Sequence, residues 1–166
     1  MGARRTGGRG YAENVSGARD GEDGEVHRRV ELLLASRDQR YTSSRRAIVD
    51  ALARLGRPAT ITELLGLVPG LAPSTAYRSL TILGDAGVLR RVSGTDEFGR
   101  FELTEELSGR HHHHVICADC GLVLDAVASV RLERALAEAA KAVAEANGFD
   151  ITDHRLELVG RCGDCR

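Results

Sequence analysis

The stretch His111-His112-His113-His114-Val115-Ile116-Cys117-Ala118-Asp119-Cys120 holds four of the chain's six histidines and two of its four cysteines. The other cysteine pair lies in Cys162-Gly163-Asp164-Cys165, after a run of 41 residues (121–161). Each Cys-x-x-Cys lets two thiolates reach one ion at about 2.3 Å, and four thiolates complete a tetrahedral zinc site with no open position. Such a site is structural. It would tie Cys162 and Cys165 to the strands around Cys117. Two redox-active dithiols, or free buried cysteines, are the other readings of these residues.

The histidines are governed by strand geometry. In an extended run side chains alternate, so His111 and His113 face one way and His112 and His114 the other. One run can therefore feed two metal sites. Neutral imidazoles with carboxylates suit zinc, iron, manganese, cobalt or nickel better than a hard alkaline-earth ion. A solvated histidine patch or an engineered tag is the plain alternative.

Outward from this stretch, Val115-Ile116 and Leu122-Val123-Leu124 read as short strands around an Asp119-Cys120-Gly121 knuckle. An alanine-rich helix follows over 129–147, with Val130, Leu136 and Val143 inward and Asn147-Gly148 as its C-cap. A third strand is expected over 149–159. Residues 105–166 thus read as a small α/β domain.

Residues 26–104 read as helices followed by a hairpin. Val30, Leu33 and Leu34 mark a helix over 26–36. Thr42 or Ser43 caps a second helix, with Ile48, Leu52 and Leu55 inward and Gly56-Arg57-Pro58 as its stop. Thr60-Ile61-Thr62-Glu63 is a capping box that opens a third, short helix, ended by Pro69-Gly70. Ala72-Pro73-Ser74 starts a fourth. On it Ala76, Leu80 and Leu83 share an inward face, while Ser74, Thr75, Arg78 and Ser79 share a face without apolar content. Such a face can enter a major groove. Residues 88–93 and 100–103 form the two arms of a hairpin around 94–99. The whole is an α+β chain: a winged helix-turn-helix followed by the α/β half.

Residues 1–25, rich in Gly, Arg, Asp and Glu, lack the apolar content to offset ordering and read as a disordered tail. Arg4, Arg5 and Arg9 are its candidate phosphate contacts. No apolar run approaches 18 residues and no signal peptide is evident, which places the chain in the cytoplasm. The formal net charge of -1 hides an asymmetry. Residues 26–92 carry 11 Lys/Arg against 5 Asp/Glu, and residues 93–166 carry 8 against 14. One half suits a polyanion and the other suits cations. An enzyme reading, such as a zinc deaminase, needs an open zinc position and a His-x-Glu with Pro-Cys-x-x-Cys, which is absent.

Several segments together resemble the ferric uptake regulator (Fur) family of metal-dependent repressors. They are Arg40-Tyr41-Thr42-Ser43-Ser44-Arg45, Ser74-Thr75-Ala76-Tyr77-Arg78-Ser79-Leu80, Phe101-Glu102-Leu103, the His112 to Gly121 stretch and the closing Cys162 and Cys165. The resemblance covers residues 28–166. It implies a homodimer that binds a palindromic double-stranded DNA operator when its regulatory site is loaded, with residues 105–166 as the dimerisation domain. Carried over, the structural zinc falls on Cys117, Cys120, Cys162 and Cys165. The regulatory site falls on Glu102, His112, His114 and Asp125, and a second site on His111, His113, Glu133 and His154. Contacts to DNA fall on Arg45, Ser74, Thr75, Tyr77 and Arg78.

The chain also departs from the family pattern. The histidine often supplied ahead of the third helix is missing, since that region reads Arg57-Pro58-Ala59; His27 or Glu63 are the stand-ins at hand. Residues 106–110 are additional. With all four cysteines claimed by the structural site, the regulatory set reads as an Fe(II) or Mn(II) sensor before a Zn(II) sensor. A zinc-uptake regulator, a peroxide-sensing member and a zinc-stabilised interaction module are the alternatives.

Overall fold

The computed structural model describes residues 19–94, 99–109 and 111–166, with side chains from residue 24. The candidate contacts Arg4, Arg5 and Arg9 and the hairpin tip 95–98 lie outside them.

The first half is built from α1 (Arg19–Ala35), α2 (Ser43–Leu55), β1 (Ala59–Thr60), α3 (Ile61–Leu67), α4 (Pro73–Asp85), β2 (Leu89–Ser93) and β3 (Gly99–Leu103). Local chemistry sets its joints. The Thr42 side chain accepts from the Arg45 N–H at the start of α2, and Gly56 ends that helix in the left-handed region at φ 58°. Thr60 and Glu63 make the reciprocal capping box of α3. Val30, Leu34, Ile48, Val49, Leu52, Leu64, Leu80, Leu83 and Val88 fill one core. The sheet has the order β1-β3-β2, all antiparallel, and the paired hairpin strands form the wing behind α4. This is a winged helix-turn-helix.

The first half also differs from the sequence reading. Helix α1 begins at Arg19, inside the segment read as tail, because its first turns contribute no apolar stripe that periodicity could register. Ser79 is buried at 4% exposure, not on the polar face. It stands three residues after Ala76 and four before Leu83, on the edge of the inward stripe. Arg45 is buried too, and its Nη1 donates to the Arg40 carbonyl, so it braces the chain entering α2.

The second half comprises α5 (Glu105–Ser108), β4 (His113–Cys117), β5 (Val123–Ala126), α6 (Val130–Asn147) and β6 (Glu157–Gly160). Its sheet runs β5-β4-β6, with β4 antiparallel to β5 and parallel to β6. The third strand expected over 149–159 is confined to Glu157–Gly160, with the His114 N–H also donating to the Leu156 carbonyl at 3.2 Å just before it. Ser129 caps α6 and Gly148 closes it in the left-handed region. None of the residues of α6 is buried, against the expectation that Val130, Leu136 and Val143 face inward. Among the described residues, no side chain of this helix is covered enough to count as buried.

Apolar contacts join the halves at more than one place. Leu107 of α5 is seated in the first core, across the divide drawn at 104/105. Val92 of β2 packs with Ile116 and Val123 of the second sheet. These place the winged hairpin beside the histidine stretch.

Candidate metal centres

Residues His111, His112, His113 and His114 leave α5 and enter β4 as extended chain, and the alternation expected of such chain separates them. His112 and His114 approach β3, where Glu102 is buried at 5% exposure. The Nε2 atoms of both histidines lie 3.2 Å from the same oxygen, Oε2 of Glu102. Asp125, opposite His114 in the β4–β5 ladder, brings Oδ2 to 3.8 Å from His112 Nε2. One ligand atom from each of Glu102, His112, His114 and Asp125 falls within 4.8 Å of the others.

The electrostatics of this group are set by burial, by the histidines and by the Arg90 guanidinium. Burial pushes the Glu102 carboxyl up, but hydrogen bonds from His114 and Arg90 outweigh it and bring it down to about 2. Burial raises Asp125, and the Glu102 charge adds to the effect. The Arg90 guanidinium donates from Nε to Glu102 Oε1 and from Nη1 to Glu105 Oε1, the latter at 3.4 Å.

On the opposite side of the run, His111, His113 and His154 gather around Glu133, near the start of α6. His113 Nε2 is 2.9 Å from Glu133 Oε1, and His111 Nε2 is 3.6 Å from Oε2. His154 Nε2 is 3.2 Å from Glu133 Oε2, yet that nitrogen is buried and makes no hydrogen bond, because the contact lacks hydrogen-bonding geometry. Nδ1 of His113 is likewise buried without a partner. A buried imidazole nitrogen left this way among three other donors fits a metal, whose coordination would offset its lost hydration.

The third group is the four cysteines, again within 4.8 Å by one ligand atom each. Cys120 Sγ is 3.7 Å from Cys162 Sγ, and the Cys162 N–H donates to Cys117 Sγ at 3.3 Å. Backbone N–H groups of Cys120 and Cys162 bring the Cys117 thiol down to about 6. Neighbouring Cys162 and Cys120 push Cys165 up. Four soft donors converging with N–H bonds to sulfur fit zinc.

All three ligand groups expected from the sequence are therefore brought together. The stand-ins for the missing histidine are not. His27 is bonded to Tyr41 Oη at 2.6 Å and to Asp50 Oδ1 at 2.8 Å, and Glu63 is held by Arg57 and Thr60. On α4, Ser74, Thr75, Tyr77 and Arg78 are exposed, Tyr77 by 62%. Two residues that the sequence reading passed over, Arg90 and Glu105, touch the ligand groups directly. The hairpin register, which sets Arg90 opposite Glu102, was the signal that could have found Arg90.

Comparison with known proteins gives the geometry its family. The description Ferric uptake regulator family matches residues 36–159. The chain belongs to the Fur family.

The chain is 28% identical over 131 residues to the peroxide-responsive repressor PerR of Staphylococcus saprophyticus, covering 76% of this chain and 82% of that protein. A solved zinc-bound manganese uptake regulator is 32% identical, with TM-score 0.60, covering 80% of this chain and 98% of that one. The Helicobacter pylori ferric uptake regulator, with three functional metal binding sites, shares the fold at TM-score 0.70 and 19% identity, over 86% of this chain and 93% of that one. Fur members are transcriptional regulators and not enzymes, and this chain is a DNA-binding, metal-binding regulator of that family. Among the described residues no helix is long and apolar enough to cross a membrane.

Proposed function

We propose that the chain is a cytoplasmic, metal-responsive repressor of metal-uptake and homeostasis genes that binds a palindromic operator as a homodimer. The observation that carries this reading is the convergence of Glu102, from the winged hairpin, with His112, His114 and Asp125, from the second half. A divalent ion held by these four supplies charge and directional coordination that bind both halves at one centre. Glu102 anchors β3, and with it the wing, to the start of β4. Loss of that anchor frees the DNA-binding half to adopt other placements, so loading shifts a population toward one arrangement of the α4 helices. Those helices would then meet successive major-groove half-sites about one helical turn, or a small multiple, apart.

Cys117, Cys120, Cys162 and Cys165 hold structural zinc in this reading, and His111, His113, Glu133 and His154 form the second site. Ser74, Thr75 and Tyr77 approach base edges while Arg78 meets phosphate. A second copy would support the dimer by covering exposed apolar side chains of this half, among which Val130 is 77%, Val143 53% and Phe149 72% exposed.

The nitrogen and oxygen donors around Glu102, without a cysteine, favour iron or manganese over zinc. Peroxide sensing is the second reading, supported by the likeness to PerR and by Asp125 within the ligand group. The deciding experiment titrates operator binding by the zinc-containing protein with Fe(II), Mn(II) and Zn(II) separately, the operator being selected from random duplexes. Tightening by Fe(II) or Mn(II) at low concentration supports the proposal; tightening by Zn(II) alone makes it a zinc-uptake regulator. Loss of binding on treating the Fe(II) form with peroxide selects the peroxide reading.

A further inference from the structure

We propose that Arg90 is a built-in cationic competitor for the Glu102 site, and that Glu105 is the carboxylate that keeps its guanidinium when Glu102 and His112 turn to an ion. Together they set the metal concentration at which the site fills. The inference rests on reading Glu102, His112, His114 and Asp125 as a metal site.

Arg90 and Glu102 face each other across the β2–β3 ladder, with side chains only 16% and 6% exposed. An ordinary cross-strand ion pair would end there. This guanidinium goes further. Its Nη2 lies 3.2 Å from His112 Nε2, the same nitrogen that lies 3.2 Å from Glu102 Oε2. That nitrogen stands between a donor and an acceptor. When it carries a proton it donates to Glu102 and faces the Arg90 N–H; when bare, it accepts from Arg90 with the lone pair that a metal needs. Arg90 therefore contests two ligands of one site, the Glu102 carboxylate by its charge and the His112 lone pair by its N–H.

Glu105 supplies the alternative. It is 27% exposed, its Oε1 already accepts from Arg90 Nη1, and its Oε2 is 2.8 Å from His111 Nδ1. With the histidines neutral, the carboxylates of Glu102, Glu105 and Asp125 exceed the guanidinium by two negative charges, which is the charge of one divalent ion. Arg90 therefore need not leave; it shifts its weight from Glu102 to Glu105. Because Glu105 also holds His111, a shift of Arg90 reaches the second ligand group, and the two are linked.

The test measures Mn(II) affinity of the full chain from the free-Mn(II) paramagnetic resonance signal at fixed salt, with zinc content checked by elemental analysis. Arg90→Gln is expected to tighten Mn(II) by about tenfold or more, and Arg90→Lys by less, because lysine keeps the charge but loses the fork. Glu105→Gln is expected to weaken it by about threefold, since Arg90 loses its second carboxylate. A purely structural Arg90 would leave affinity unchanged or reduce it in Arg90→Gln, and either result overturns the proposal. Should Arg90→Gln lose zinc or helix content, Arg90→Lys and Glu105→Gln decide, and unchanged affinity in both overturns it. A His112→Ala, His114→Ala background that removes no binding event shows instead that the underlying site assignment is wrong.

Discussion

His112 and His114, two positions apart, set their rings 5.3 Å from centroid to centroid at 79° and turn both Nε2 atoms to the same oxygen of Glu102. Side chains on one edge of an extended run converge this way only on something between them. Here it is a carboxylate from the other half of the chain, so this point lies where the two halves meet.

The four-cysteine group is expected to carry much of the second half's stability. Ala118 N–H bonds the Gly160 carbonyl at 2.8 Å, so zinc at Cys117, Cys120, Cys162 and Cys165 would lock β4 to β6. A Cys162→Ser variant should lose the ion and, with it, a contribution of up to roughly 10 kcal/mol, since such sites couple binding to folding. Amide exchange at Ala118 reads it: protection should vanish in the variant, and unchanged protection would contradict the assignment. Because neighbouring thiols hold Cys165 up, loading should release protons and tighten as pH rises through neutrality.

Arg78 stands on the exposed face of α4 with Ser74 and Thr75. Arg78→Ala should weaken operator binding about five- to thirtyfold and lower the slope of log affinity against log salt by about one, as expected for a phosphate contact. Fluorescence anisotropy at several salt concentrations checks both. A loss confined to one base position, with the slope unchanged, would make Arg78 a base reader instead.

Tyr41, ahead of α2, is hydrogen-bonded to His27 of α1, which also bonds Asp50 of α2, and Arg46 lies 4.8 Å over the Tyr41 ring. Burial pushes its phenol above the ordinary value of 10.0. The folded state thus prefers the neutral phenol. Its stabilising effect is complete below pH 10 and is lost as pH rises above it, because the unfolded chain ionises first. Denaturant midpoints measured from pH 9 to 11 should fall in the wild type. Tyr41→Phe should start lower by about 1 kcal/mol, from the lost hydrogen bond, and show a shallower fall.

Much of this was legible from short-range chemistry. The capping box Thr60-Glu63, the stop at Gly56 and the C-cap at Gly148 follow from local residue types, and the alternation of four consecutive histidines sorted them into the two groups observed. What periodicity missed depends on the partners of each face. Arg45 reads as a surface cation until the Arg40 carbonyl is seen to hold it. Ser79 lies at the margin between two faces, where helix phase does not decide. Helix α6 has an inward pattern, but none of its residues is buried among the described residues. Arg90 was hidden because its partners Glu102, Glu105 and His112 lie 12, 15 and 22 positions away from it in sequence.

The measurement that bears most directly on the proposed switch is operator affinity with and without Mn(II), for the wild type and for a His112→Ala, His114→Ala variant that retains its four-cysteine zinc. The wild type is expected to tighten by between about 5-fold and 150-fold, the usual range of allosteric coupling, and the variant not at all. A variant that tightens as much as the wild type would contradict the assignment of the switch to Glu102, His112, His114 and Asp125.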